Sequence, residues 1–340
     1  SSGLVIAQMY KLGVSQLTKD KQLVGLQDNG AHVYEGAAAG WSTVLGGDQG
    51  DALIDPTDDS HMYIGSTTFL GRTTNGRSFF RIAGDGDGGI NEPAFFIQPI
   101  EFAPDNPSVL YTGFSNLWRT NDAKAADPVF TKLSPYGTGN QVLTFAIAPS
   151  DPNVLIMAYT SQTLNKTTNL TSANPNFFDI SSGQQGSGRV KDIEFDVTDA
   201  NVVYCARGNG IYRSTNGGTN WSDFGGSLPS ISVNTIVMDK NSPTKGMYVG
   251  LDVGVYYRDN TMNDWVPYST NLPNVEVTDL EIQYGDGVCD NQLVASTYGS
   301  GSWRSALSNS GGQSAQLPII NNLEGNTAGF TIENPDAGSV

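Results

Sequence analysis

The chain has 340 residues, of which 34 are acidic and 18 basic, giving a formal net charge of −16. Such a charge repels phosphate backbones and anionic lipid, which makes nucleic acid and membrane surfaces poor partners. The 40 glycines, 16 prolines and 15% charged residues suit many short strands joined by tight turns and argue against a helical protein.

At the amino terminus there is neither an initiator Met nor a charged-then-apolar signal segment, so the chain reads as an excised or mature piece. Leu4 to Gln8 reads as a strand with no partner in its own repeat. From Tyr10 onward one unit recurs. An apolar strand meets an Asp, Asn or Pro turn, a second strand ends in small residues, and a third carries Arg or Lys. The first copy, YKLGVSQLTKDKQLVG, runs into GLQDNG; later copies read DALIDPTDDSHMYIG, IEFAPDNPSVLYTG, FAIAPSDPNVLIMA, IEFDVTDANVVYCA, TIVMDKNSPTKGMYVG and LEIQYGDGVCDNQLVAS. The basic position falls at Arg72, Arg119, Lys166, Arg213, Arg258 and Arg304, in steps of 47, 47, 47, 45 and 46 residues. A period in the forties with strand content is the signature of a β-propeller, in which each repeat is a four-stranded blade that cannot bury its own faces.

Seven copies therefore predict an all-β, seven-bladed β-propeller over residues 1–307. The large aromatics of the fourth strands, Trp41, Phe80, Phe130, Phe177 with Phe178, Trp221 and Trp265, are expected to fill the seams between blades. The seventh copy lacks a fourth strand after Leu307, and Leu4 to Gln8 is expected to complete it and close the ring. Residues 308–317 read as a Ser/Gly/Gln linker, and 318–340 as the start of a further β module.

A basic residue repeated at one blade position is expected to brace neighbouring blades through their carbonyls, not to converge on a ligand. Candidate binding residues are Gln27, Asp28 and Asn29 in GLQDNG, Asp48 in GGDQGD, and Tyr298, with Tyr159 and Phe114 as further aromatics for a rim. If the chain were a glycan hydrolase, Asp28, Asp48 and Asp252 would be its carboxylates, since such chemistry needs an acid and a base flanking the bond. These same Asp residues are also the ordinary residues of tight turns. Asp85, Asp87, Asn91 and Glu92 alternate with glycine in a way that could wrap oxygen ligands around Ca²⁺, although the EF-hand spacing is absent. His32 and His61 fall in no nucleophile motif, and with Cys205 and Cys289 they give no zinc spacing; the two cysteines are also poorly placed to bond to each other.

The turn Ser214-Thr-Asn216-Gly-Gly218-Thr-Asn-Trp221 resembles the Asp-box of sialidase-like propellers, and Thr73-Thr-Asn75-Gly-Arg77-Ser-Phe-Phe80 is a weaker copy in which Arg77 replaces the glycine. Over residues 3–307 the repeats resemble the Asp-box propellers of sortilin-type receptors, of endo-xyloglucanases and of large secreted Bacteroidota-type proteins. The segments GLQDNG, GGDQGD, LPNVEVTDLEIQY and LVASTYGSGSWRS are most similar to the last group. That resemblance implies an extracellular or cell-surface location within a long polypeptide that carries Ig-like modules, and it assigns no reaction. It also makes Ser214, Asn216, Gly218, Trp221, Thr73, Asn75 and Phe80 scaffold residues. Xyloglucanases form their cleft from two propellers, whereas one is read here. The expected function is thus a non-catalytic adhesive platform for a glycan or protein, with a xyloglucanase-like hydrolase fragment and a sortilin-like peptide receptor as alternatives.

Overall fold

A computed structural model of the protein describes residues 7–135, 139–269, 271–285 and 291–308. Cys289, Leu4 to Ile6 and the expected module over 318–340 lie outside the described residues. Seven antiparallel sheets follow one another along the chain, each with its strands hydrogen-bonded in sequence order. Six have four strands and the seventh has three among the described residues. The arrangement is a seven-bladed β-propeller with one short 3-10 turn, Ser181–Gly183, as its only helical element among the described residues.

The innermost strands are Met9–Val14, Ala52–Ile54, Ile100–Ala103, Val142–Ile147, Val190–Asp196, Val233–Met238 and Val277–Gln283. Five of them begin with a bulge, where the register skips Tyr10, Leu143, Lys191, Asn234 and Thr278. An extra residue of this kind has no cross-strand partner and is re-aimed by the local twist. All five line the axial channel.

Because a blade buries its faces only against its neighbours, the apolar core is divided among the seams. Trp221 is buried with Ile156 and Ile180 of blade four, Phe130 with Tyr63 and Leu70 of blade two, and Trp265 with Tyr204 and Ile211 of blade five. Two predicted seam aromatics behave differently. Phe80 is exposed, with Arg72 over its ring at 5.0 Å, and Phe79 packs inward in its place. Phe178 is likewise exposed, and Phe177 packs against the core. Successive strand residues point to opposite faces, so a slip of one residue in the pattern exchanges the two rings.

The repeated basic residues bind the blades together. Arg72 donates through Nη1 to the carbonyls of Ala123 and, at 2.7 Å, Ala125. Arg119 reaches the carbonyls of Leu170 at 3.0 Å and Ser172 at 3.3 Å, and Lys166 that of Gly217 at 2.8 Å. Each of these crosses to the following blade; Arg258 points back, stacking on Phe224 at 4.2 Å. In the Ser214 to Trp221 turn, Ser214 Oγ accepts the Gly218 amide at 2.9 Å and Asn216 Oδ1 accepts the Asn220 amide at 2.9 Å. Gly218 has φ +85°, and a Cβ there would lie 2.6 Å from Ile180, so this position requires glycine. Ser214 Oγ also donates to Asn216 Oδ1 and accepts the Asn216 amide, and Thr73 with Asn75 makes the same pair of bonds, as do Thr167 and Asn169, a copy that residue spacing did not single out.

Ring closure is carried by side chains between blades seven and one. Lys11 pairs with Asp279 at 2.8 Å, Gln283 donates to the Ser15 carbonyl at 2.7 Å, Ser302 donates to Gln22 at 2.7 Å, and Arg304 pairs with Asp20. The described end of the segment expected to close the ring, Ala7 and Gln8, meets the tip of the last hairpin. Gln8 bridges Tyr298, and the Gly299 amide donates to the Ala7 carbonyl at 2.8 Å.

Replacing Arg72 by Met strands buried carbonyls in the neighbouring blade, and we expect a loss of about 1–3 kcal/mol in urea denaturation. Arg77→Ala, at an exposed residue, should change stability by less than about 0.5 kcal/mol. Equal effects from both substitutions would contradict the bracing role.

Candidate functional site at the mouth of the axial channel

Alternation along the innermost strands places every second side chain on the axis. Asp192 and Glu194, and likewise Asp279 and Glu281, therefore face the same channel, whose volume is about 700 Å³. Asp51, Asp192 and Asp279 surround Lys11, and Glu101, Glu194 and Glu281 lie deeper. Six carboxyl groups thus stand along the axis about Lys11, while Glu276, Lys191 and Arg189 line the same channel nearer its mouth.

These carboxylates have structural work to perform. The inner edge of each blade would otherwise leave backbone amides unpaired. Asp51 accepts the Ile100 amide at 3.0 Å, Glu101 that of Ile147 at 3.2 Å, Asp192 that of Ile236 at 2.8 Å, Glu194 that of Met238 at 3.0 Å and Asp279 that of Leu12 at 3.1 Å. Each bond runs from one blade to the next.

The proton affinities follow from this geometry. Burial pushes Asp51 up to about 7 despite nearby Lys11, and burial with the Asp192 charge takes Glu194 to about 8. Burial raises Glu101 and Glu281 as well, reinforced by neighbouring carboxylates. For Lys11 burial acts downward, but Asp279, Asp192 and Asp51 together hold its ammonium above the ordinary value.

Above these layers the channel opens at the end where the innermost strands begin. Tyr10 meets Phe96 edge-on with centroids 5.3 Å apart and lies 6.1 Å from Tyr298. Phe96 is 40% exposed. Tyr298 donates its hydroxyl to Gln27. Burial, followed by the charges of Tyr298, Asp48 and Asp28, drives the Tyr10 phenol up to about 12, keeping it a neutral donor. Across the mouth Arg189 lies over Phe95 at 5.8 Å, and Lys191 donates to Ser232 at 2.6 Å and Asn234 at 2.5 Å. Glu276 sits beside them, its carboxyl raised by burial and by Asp252.

The structure gathers Gln27, Asp28, Asn29, Asp48 and Tyr298 on one side of this mouth. Asp48 accepts the Asp28 amide at 2.6 Å and Asn29 donates to the Gln27 carbonyl at 3.1 Å, so the acidic pair is built into a turn. Asp28 has φ +59°. Asp252 stands on the same rim in blade six, accepting from Asn234 at 3.0 Å. Tyr159 and Phe114 do not reach the rim; both are fully buried in blade seams.

The proposed calcium ligands are dispersed. Asp85 and Asp87 pair with Arg81 at 3.2 and 3.7 Å. Glu92 turns into blade three, where it accepts from Asn116, Trp118 and Lys132 at 2.9–3.1 Å. Lys132, Asn116 and Trp118 hold it below the usual carboxylate range against the opposing effect of burial. Among the described residues no cluster of three or more His, Cys, Asp or Glu is placed to hold a metal.

Residue spacing missed Tyr10, Phe96, Arg189 and the axial carboxylates. The last carried a usable signal, acidic residues alternating with apolar ones in VKDIEFD and VTDLEIQ.

No family model matches the sequence, and no curated protein matches it. Among solved structures, a GH74 xyloglucanase from Xanthomonas campestris is similar with a TM-score of 0.65 at 14% identity, over 96% of this chain and 53% of that one. A chain of the mitotic checkpoint complex is similar with a TM-score of 0.61, also at 14% identity, over 89% of this chain and 87% of that one. At such identity the likeness is one of fold, and this chain spans about half the length of the xyloglucanase.

The axial acids make stability pH-dependent. Their folded-state pKa values lie above the unfolded ones, so the native state binds extra protons between the two, and stability must fall as pH rises through about 7 to 8. Urea midpoints should decline from about pH 5.5 to 8.5, and Glu194→Gln should flatten part of that slope. A midpoint that rises over the same range would contradict the assignment.

Proposed function

We propose that the chain is a non-catalytic propeller module of a secreted or cell-surface protein, an adhesive platform that binds an extended ligand, a glycan or a protein segment, across the channel mouth. The observation that carries this reading is the aromatic and polar mouth: Tyr10, Phe96 and Tyr298 offer ring faces while Gln27, Arg189 and Lys191 offer hydrogen-bonding groups. Flat rings beside fixed polar groups suit a ligand that is apolar on one face and hydrogen-bonding at its edges. The strongly acidic composition and the Asp-box-like turns support an extracellular setting.

A second reading, a hydrolase fragment acting on a xyloglucan-like glycan, draws on the similarity to the xyloglucanase fold. It requires Asp28, Asp48 or Asp252 to act as acid and base, and in this chain Asp48 and Asp252 accept hydrogen bonds from their own rim.

A glycan array run beside reducing-sugar release on the same polysaccharides separates the two. We expect binding without release, weakened about tenfold by Tyr298→Ala or Phe96→Ala and unchanged in kind by Asp28→Asn. Sugar release abolished by Asp28→Asn or Asp48→Asn would overturn the adhesive reading in favour of the hydrolase.

A further inference from the structure

We propose that the channel mouth receives a lysine side chain from a protein partner, its alkyl stem against the aromatic rings and its ammonium directed into the carboxylates below. This rests on the mouth being the binding face and names what it binds.

Two features at different depths point to the same occupant. The mouth presents exposed apolar surface, with Phe96 40% exposed, Tyr10 packed edge-on against it and Tyr298 beside Tyr10. Below it, Lys11 faces Asp51, Asp192 and Asp279, with Glu101, Glu194 and Glu281 beyond, so carboxyl groups outnumber cationic ones along the channel, several of them held protonated by burial. The mouth's own cations stand across the opening from these rings, Lys191 hydrogen-bonded to Ser232 and Asn234 and Arg189 over Phe95. A lysine matches this profile because it is a compact ammonium on a flexible four-carbon stem. Its stem covers aromatic surface while its head stays with polar groups, and an ammonium near ring faces gains a cation–π contribution. Insertion also changes protonation. An added ammonium favours the ionised form of the acids that burial keeps protonated, so binding releases protons.

The test uses an acetylated, amidated Gly-Gly-Lys-Gly-Gly peptide and its counterpart bearing Nε-acetyl-lysine, titrated by ligand-observed NMR and by calorimetry in two buffers of different ionisation enthalpy. We expect the lysine peptide to bind at least about tenfold more tightly than the acetylated one and to release protons. Phe96→Leu should keep the fold and weaken binding several-fold, and Glu281→Gln should weaken it while lowering proton release; melting temperatures verify that both variants are folded. Equal binding of the two peptides, or lysine binding insensitive to both variants, would overturn the inference. If array glycans bind and the peptide does not, the mouth remains the binding face and the lysine inference alone falls. If neither binds, both fall.

Discussion

A sheet wrapped around an axis must find partners for the inner edge of each blade. Carboxylates supply them here: side chains from one blade accept amides of the next at 2.8–3.2 Å for Asp51, Glu101, Asp192, Glu194 and Asp279. Ring geometry, the acidity of the channel and the pH dependence of stability all follow from this choice of acceptor. Neutral acceptors could satisfy the same amides, but they would leave an axis without charge. The cost is that acids crowd together with only Lys11 between them, and several remain protonated near neutral pH because burial disfavours the ionised form.

Outer bracing follows a different logic. Arg72, Arg119 and Lys166 each span to backbone carbonyls of the following blade, so the seam is held at its outer side by basic residues and at its inner side by acidic ones. Apolar clusters lie between these two lines of polar contacts. The last seam uses the same devices, with Arg304 on Asp20 outside and Lys11 on Asp279 inside.

The fold was legible because it repeats. Arg72 through Arg304 mark the blades at near-constant spacing, and Ser214 to Trp221 announces a turn whose hydrogen bonds are then found. Phe80 failed because aromatic pairs are ambiguous by one residue, and strand alternation converts that ambiguity into inside against outside. Glu92 failed because a Gly-rich acidic string does not reveal that Asn116, Trp118 and Lys132 already wait for its last carboxylate. Asp28 and Tyr298 were legible as rim residues because turns after second strands share one rim, whereas Asp48 lies in the connection between blades one and two. Their principal companions were not legible, since Tyr10 comes from a bulge and Phe96 from a long inter-blade loop, and neither follows the period.

The bulges separate two demands that usually compete in a sheet. Tyr10, Leu143, Lys191, Asn234 and Thr278 are inserted between paired residues and carry no partner across the ladder. A different side chain at any of them alters the lining of the opening while the register on either side is retained. The scaffold therefore offers a set of positions around one aperture at which the residue can change without loss of register, among which Lys191 and Asn234, hydrogen-bonded to each other across blades five and six, form a coupled pair.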